Sequence, residues 1–170
     1  MDSGDAARAG ILLILILLSA FFSVAETALS NINKLRIRSL ADDDVKGANT
    51  LLKLLNEHDK MVYALLIGHN AAGISATVLT ITMAIDIFGS RWVGLTIGIF
   101  ILVILIFAEI IPRSVSVYKS EKIALNIAGF VLILTKLLTP VIFIFNKLIN
   151  GVLILLRIDS NEKAASAADD

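Results

Sequence analysis

The sequence predicts an all-α membrane protein with three transmembrane helices and amphipathic helices at the membrane surface. Hydrophobic residues make up 57% of its 170 residues, against about 45–50% in soluble domains. Three apolar stretches also reach the roughly 20 residues that a helix needs to cross a hydrocarbon core of about 30 Å. The lipid bilayer is therefore the first partner that the sequence implies.

Charge balance and the absence of cysteine exclude several classes of function. Fifteen basic and fifteen acidic residues cancel, so net charge gives no reason to expect a nucleic-acid partner. Without cysteine, the chain has no disulfide, thiolate metal site or cysteine nucleophile. The N-terminal MDSGDAARAG lacks the basic start of a secretory signal, so we expect the first span to be retained.

The three predicted spans are Ala9 to Ser30, Met61 to Phe88 and Trp92 to Tyr118. The second and third are separated only by the short turn that follows Phe88, and tryptophan is typical of the membrane interface. We therefore predict that these two spans form an antiparallel hairpin.

The charged segment from Asn31 to Lys60 joins the first two spans. Short amphipathic helices at the membrane surface are the predicted structure, because apolar residues recur there at helical spacing. A solvated loop with one helical turn is the alternative. The apolar residues are Leu35, Ile37, Leu40, Leu51, Leu52, Leu54 and Leu55.

After the third span, the apolar runs from Glu121 to Ile158 are divided by Lys136, Pro140 and Lys147 into pieces of about ten residues. This pattern favours a kinked amphipathic helix that wraps around the domain. A fourth span from Ile123 to Phe145 is the alternative, with its lysine reaching toward the interface and its proline forming a kink.

Basic residues predict the orientation in the cell membrane. Lysine and arginine are concentrated between the first two spans and after the third, whereas the N-terminus has only Arg8 and the hairpin turn only Arg91. The positive-inside rule then places residues 1–9 outside the cell and the C-terminus in the cytoplasm. Residues 158–170 form a polar tail that we expect to be a disordered linker.

Carboxylates inside two spans point to a transport function. Glu26 and Glu109 lie in otherwise apolar surroundings, and a charge at membrane depth costs at least a few kcal/mol unless it faces a polar cavity or a path. Glu26 shares an arc of about 100° on its helix with four hydroxyl residues. These are Ser19, Ser23, Thr27 and Ser30. For any one hydroxyl, a bond to its own backbone is the simpler interpretation.

The second span carries a similar polar stripe of Asn70, Gly73, Thr77 and Thr80, within about 80° of one another. The asparagine is either a cation ligand through its amide oxygen or a hydrogen-bond bridge between helices. His69 lies about 100° from it and is interpreted as a packing residue rather than a metal ligand.

In the third span, Pro112 leaves the carbonyl of Ala108 without its usual donor beside Glu109. A carboxylate next to a free carbonyl suits a hard cation, although a proline kink with Glu109 paired to Arg113 also fits. Oxygen ligands without thiols indicate Mg²⁺, Ca²⁺ or Na⁺. Gly94 and Gly98 form a GxxxG surface for close helix packing.

Three motifs resemble the transmembrane domain of the CorC/CNNM magnesium transporters. They are FFSVAETAL in the first span, an asparagine after a glycine in the second, and AEIIPRS at the end of the third. The resemblance covers residues 10–157. It implies a homodimer of three-span protomers with a juxtamembrane helical belt, and Mg²⁺ export driven by Na⁺ entry. It also implies that cytoplasmic CBS-type domains, which bind ATP and Mg²⁺ in this family, follow in the full-length chain.

The resemblance also implies which residues contact the ions. The metal ligands implied by position are Ser19, Ser23, Asn70 and Glu109. Residues for the coupling ion or for the lining of its path are Glu26, Thr27, Gly73 and Ser116. Two positions depart from the common motif, because Arg113 stands where lysine or glutamine is usual and His69 where asparagine is usual.

Two other functions compete with transport. A membrane anchor that senses Mg²⁺ and regulates another transporter would bind the ion without moving it. An intramembrane hydrolase would need a pairing such as HExxH, which the sequence lacks, so we predict that the protein is not an enzyme.

Overall fold

The computed structural model describes residues 3–89 and 91–155, and no strand occurs among them. The predicted all-α class is therefore confirmed, while the tail predicted for residues 158–170 lies outside the described ranges. The elements are α1 (Ser3–Ser30), α2 (Lys34–Asp42), α3 (Ala48–Asn56), α4 (His58–Phe88), α5 (Val93–Ile104), a π-helical segment (Leu105–Ile110), α6 (Ile111–Tyr118) and α7 (Ser120–Leu155).

The three predicted spans correspond to α1, to α4 and to the unit formed by α5, the π-helical segment and α6. Helix α1 begins at Ser3 rather than Ala9, since the small residues before Ala9 continue the helix. The turn between α4 and α5 begins at Gly89, whose positive φ of 71° ends α4 while its N–H donates to the carbonyl of Ile85. Trp92, at the end of this turn, is 55% exposed.

Helix α7 is continuous through Pro140 and is a fourth helix long and apolar enough to cross a membrane. Its buried positions form one stripe, whereas Lys136 and Lys147 are exposed. One helix with its charged residues on the exposed side agrees with the amphipathic helix predicted for this segment. The stripe consists of Ala124, Ala128, Val131, Thr135 and Ile142. The three-span count and a belt position for α7 stay predictions.

Two short helices connect α1 to α4, which confirms the helical interpretation of this segment. Asn33 caps α2, since its side-chain oxygen accepts from the backbone N–H groups of Leu35 and Arg36. Of the apolar face predicted from the spacing, Leu40 and Leu52 are partly buried and Leu35 is 76% exposed. Its members Ile37, Leu51, Leu54 and Leu55 join the main hydrophobic core.

The core lies where α1, α3, α4 and α7 meet. Small residues let α1 and α4 approach closely, and at Gly68 a Cβ would lie only 2.5 Å from the ring of Phe22. Phe21 of α1 meets Phe130 of α7 edge to face, with 5.2 Å between ring centroids. This packing fixes α1, which carries the polar stripe predicted from the sequence.

Gly47 docks the α2–α3 connection onto α7. Its φ of 88° lies in the left-handed region, and a Cβ there would meet the carbonyl oxygen of Leu125 at 2.6 Å. Gly47→Ala combines backbone strain with a clash against backbone, so we expect it to destabilise the fold by about 2–3 kcal/mol. Thermal unfolding in detergent measures the loss.

The matched control is Gly129→Ala on α7, where a Cβ meets nothing within 4 Å. It should leave the unfolding temperature close to that of the wild type. Equal unfolding temperatures for the two variants would contradict the docking role of Gly47.

Candidate functional site

A cavity of about 360 Å³ lies between α1, α4 and the third span. We call it the mid-span cavity. Its polar lining comes from one turn of α1, three turns of α4 and the π-helical segment, and consists of Ser19, His69, Asn70, Gly73, Thr77 and Glu109. The remaining lining is apolar and comprises Ile74, Val78, Ile101, Ile104, Leu105 and Ala108.

Asn70 is the most polar contribution of α4 to this cavity. Its amide nitrogen donates to the carbonyl of Leu66 at 2.8 Å, which leaves the amide oxygen available to a cation. Thr77 instead donates to the carbonyl of Gly73 at 2.9 Å. The simple interpretation of membrane hydroxyls, a bond to the preceding turn, is thus confirmed for this threonine.

His69 reaches the mid-span cavity although its helical angle had suggested a packing role. Its Nδ1 lies 3.2 Å from the carbonyl oxygen of Ser19 and 3.5 Å from the Ser19 hydroxyl. The imidazole is long enough to extend around the helix, so the wheel angle alone could not place it. Its second nitrogen remains available at the cavity.

Glu109 is placed by the irregular part of the third span. It lies in the π-helical segment, where the N–H of Ile111 donates to the carbonyl of Ile106, five residues back. Pro112 lies three residues after Glu109 and has no N–H. It therefore cannot donate a hydrogen bond to a backbone carbonyl in the preceding turn. π-helical turns occur frequently at functional sites because they widen the helix and redirect side chains.

Arg113 joins the two intramembrane carboxylates. Its Nη2 lies 3.3 Å from Glu26 Oε2 and 3.4 Å from Glu109 Oε1. Its Nε donates to the hydroxyl of Ser23 at 3.1 Å. The Glu109–Arg113 pair, one turn apart, was predictable from the sequence, but the contacts across to α1 depend on how the helices pack.

A second cavity of about 370 Å³ lies nearer the α2–α3 connection, and we call it the loop-side cavity. Both predicted path residues Glu26 and Thr27 line it. The other lining residues are Ser30, Asn31, Arg113, Ser114 and Val117. The polar stripe of α1 is therefore shared between two cavities rather than facing one.

The predicted site residues consequently fall into three places. Ser19, Asn70, Gly73 and Glu109 meet at the mid-span cavity. Ser23 is fully buried between the cavities, against Arg113. Ser116, also fully buried, lines neither cavity and donates to the carbonyl of Val24 at 2.8 Å, which ties α6 to α1.

The chemistry of these groups suits a hydrated or organic cation rather than a metal held by many charged ligands. Among the described residues, no group of three or more histidine and carboxylate side chains could hold a metal ion. Two carboxylates and one guanidinium leave a formal charge of −1 between α1 and the third span. This net negative charge favours a bound cation.

The sequence is similar to known proteins over nearly its whole length. The family model of the cyclin M (CNNM) transmembrane N-terminal domain matches residues 10–170. The chain belongs to the CNNM family. The predicted resemblance is thereby confirmed, and the apolar helices together with this membership make the chain a multi-pass membrane domain.

Three relatives illustrate the range of names within the CNNM family. A UPF0053 protein of Haemophilus influenzae is 30% identical over 94% of this chain and 38% of its own length. The UPF0053 inner membrane protein YfjD of Escherichia coli is 28% identical over 85% of this chain and 34% of its own length. A polyamine export protein of Salmonella typhimurium is 25% identical over 94% of this chain and 39% of its own length. This CNNM domain thus spans a little over one third of their lengths.

The hydrogen bond from Ser116 to Val24 gives a prediction for the CNNM domain. Ser116→Ala removes a buried bond between two helices and should destabilise the fold by about 1 kcal/mol. The control is Ser114→Ala, two residues away, whose hydroxyl is exposed and donates only within its own helix, to Ile110. Unfolding in detergent compares them, and an equal effect of both changes would refute the cross-helix tie.

Proposed function

We propose that this CNNM domain binds Mg²⁺ in the mid-span cavity and exports it across the cell membrane in exchange for Na⁺. The observation that carries the proposal is the meeting of Ser19, Asn70 and Glu109 at one cavity between apolar helices. Hydroxyl, amide and carboxylate oxygens are the ligands that a hard cation prefers. Ser23 becomes a fourth ligand if Arg113 moves away from it.

The size of the mid-span cavity fits an ion that keeps part of its water. Six water molecules at about 30 Å³ each occupy roughly 180 Å³, about half of the 360 Å³ available. Mg²⁺ gives up water reluctantly and usually has only one or two direct carboxylate ligands. A single carboxylate, Glu109, with an amide and a hydroxyl beside it matches that behaviour.

The irregular third span supplies the moving part of the proposed mechanism. Alternating access requires Glu109 to face first one side of the membrane and then the other, and broken helices permit this in many transporters. The π-helical segment before Pro112 offers such a break. The positive-inside rule predicts that the loop-side cavity near Glu26 faces the cytoplasm, so Na⁺ that entered from outside would leave the domain there.

A homodimer is the proposed assembly. Helix α5 has no buried residue in the protomer, and a Cβ at Gly94 or Gly98 would meet nothing within 4 Å. Helices in membranes associate through such small-residue surfaces. The second protomer would cover this surface, and the expected cytoplasmic CBS-type domains would follow α7.

Polyamine export is the second candidate function. Relatives in Salmonella typhimurium and Haemophilus influenzae carry the name polyamine export protein. The mid-span cavity also has an apolar lining that includes Ile74, Val78 and Ile101. Such a lining suits the methylene chain of a polyamine, while Glu109 would receive one ammonium group. A Mg²⁺-sensing anchor is the remaining alternative, and it would bind without flux.

Neutralising Glu109 tests the ion site. Mg²⁺ at about 100 times its Kd should stabilise the wild type by roughly 2.7 kcal/mol, and Glu109→Gln should remove most of that gain because the cavity loses its carboxylate. Thermal unfolding in Na⁺-free detergent, with Mg²⁺ or spermidine added, provides the measurement. Glu121→Gln is the control, since Glu121 is an exposed carboxylate paired with Arg36 outside the cavity.

The two added cations separate the candidates. Stabilisation by Mg²⁺ that only Glu109→Gln abolishes supports magnesium, and the same pattern with spermidine alone supports polyamine export. Stabilisation that survives in Glu109→Gln would refute the site for either cation. Mg²⁺ flux into proteoliposomes then distinguishes a transporter from a sensing anchor.

The break in the third span gives a further prediction. Pro112→Ala restores an N–H and should extend regular α-helix toward Glu109, which turns the carboxylate away from Asn70. We expect the intrinsic stability to be maintained or raised and the stabilisation by Mg²⁺ to fall. Pro140→Ala in α7 is the control, because it restores an N–H in a helix that does not line the cavity. Undiminished Mg²⁺ stabilisation in Pro112→Ala would refute the role of the break.

A further inference from the structure

We propose that Arg113 is an internal counter-cation that closes the passage between the two cavities, and that a cation bound at Glu109 displaces it toward Glu26. This inference deepens the transport function proposed above and rests on it for the identity of the cation. Arg113 would then both block the passage between the cavities and compete with the transported cation for the carboxylate of Glu109.

The order of residues on both helices places Arg113 between the cavities. Along α1, Ser19 lines the mid-span cavity, Ser23 is buried, and Glu26 lines the loop-side cavity. Along the third span, Glu109 lines the first cavity and Arg113 the second. The guanidinium bridges the two helices beside the buried Ser23, whose hydroxyl accepts from its Nε, while the arginine side chain itself is 43% exposed.

The contacts of Arg113 are suited to displacement. A single nitrogen, Nη2, is shared between Glu26 at 3.3 Å and Glu109 at 3.4 Å, both longer than the roughly 2.7–2.9 Å of a strong charged hydrogen bond. A divalent cation at Glu109 would repel the guanidinium and outcompete it for that carboxylate. Glu26 then retains the arginine, so the charge does not have to leave the protein.

A purely structural ion pair makes a different prediction. If Arg113 only held α1 to the third span, removing it would loosen the helices and weaken cation binding. As a competitor, its removal should instead strengthen cation binding, because the negative charge on Glu109 is no longer partly neutralised. The two roles therefore differ in the sign of the effect on affinity.

These 170 residues contain no cysteine, which makes a labelling experiment with this domain direct. Thr77→Cys places a thiol at the mid-span cavity, and Asn31→Cys places one at the loop-side cavity. A membrane-impermeant cationic methanethiosulfonate reagent is applied to vesicles on the side of the α2–α3 connection. Asn31→Cys should react in every background, while Thr77→Cys should be protected when Arg113 is present.

Changing Arg113 should open the passage. Arg113→Gln is expected to raise the labelling rate of Thr77→Cys about tenfold, because it breaks a partly buried ion pair. The same change should tighten Mg²⁺ binding, measured by thermal unfolding. Arg113→Lys keeps the charge but cannot bridge both carboxylates and the serine. Arg113→Lys should raise the labelling rate of Thr77→Cys while leaving the Mg²⁺ affinity close to that of the wild type. It also tests the barrier if the glutamine variant fails to fold.

Arg8→Gln is the control for lost positive charge, because Arg8 pairs with Asp86 at the other end of α1. It should change neither labelling nor affinity. Protection of Thr77→Cys in both Arg113 variants, or weaker Mg²⁺ binding in Arg113→Gln, would overturn the proposal. Increased labelling without any Mg²⁺ binding would support the barrier and reject magnesium as the cation, since labelling does not depend on transport.

Discussion

The cost of holding charge between apolar helices is the constraint on which this domain depends. Three ionisable side chains, Glu26, Glu109 and Arg113, lie in segments that composition assigns to the membrane, and they are paired with one another. Because no lipid can replace a lost partner, each group requires α1 and the third span to remain close. The charges thus determine which helices are neighbours as well as what the site can bind.

Close packing makes this pairing possible. Helix α1 lies against α4 through small residues and the contact between Phe22 and Gly68, and against α6 through the bond from Ser116 to Val24. Membrane helices gain little from burying apolar side chains, so small residues and interhelical hydrogen bonds provide much of the attraction. Helix α1 is consequently the common wall of both cavities, and the α2–α3 connection secures its end.

Sequence periodicity predicted the long helices and the two short connecting helices, while the family resemblance implied Ser19, Asn70 and Glu109 as ligands and Gly73 as a path residue, all of which line the mid-span cavity. It could not predict that the stripe on α1 divides between two cavities, because that depends on where Arg113 crosses from another helix. The packing role predicted for His69 agrees with its contact to Ser19 of α1, but its place in the cavity lining could not be predicted. A helical wheel gives the direction of a Cβ and takes no account of the reach of the side chain.

Helix α7 shows that charged residues and a proline in the sequence do not necessarily end a helix. Lysines and a proline are strong signals for the end of a membrane segment, yet in α7 they lie away from the buried stripe and the helix continues. Which side of α7 packs against the protein is known only once the neighbouring helices are placed.

The π-helical segment also has a geometric consequence for the third span. One additional residue in a turn rotates everything beyond it by about 100° relative to a regular α-helix. The side-chain positions of α6 are therefore rotated about the span axis relative to those of α5. The face that is exposed along α5 does not continue along α6. Helix α5 is left with no buried residue, while α6 turns Arg113 and Ser116 toward α1. A single inserted residue thus lets one span keep one half uncovered in the protomer while the other half packs against charged protein.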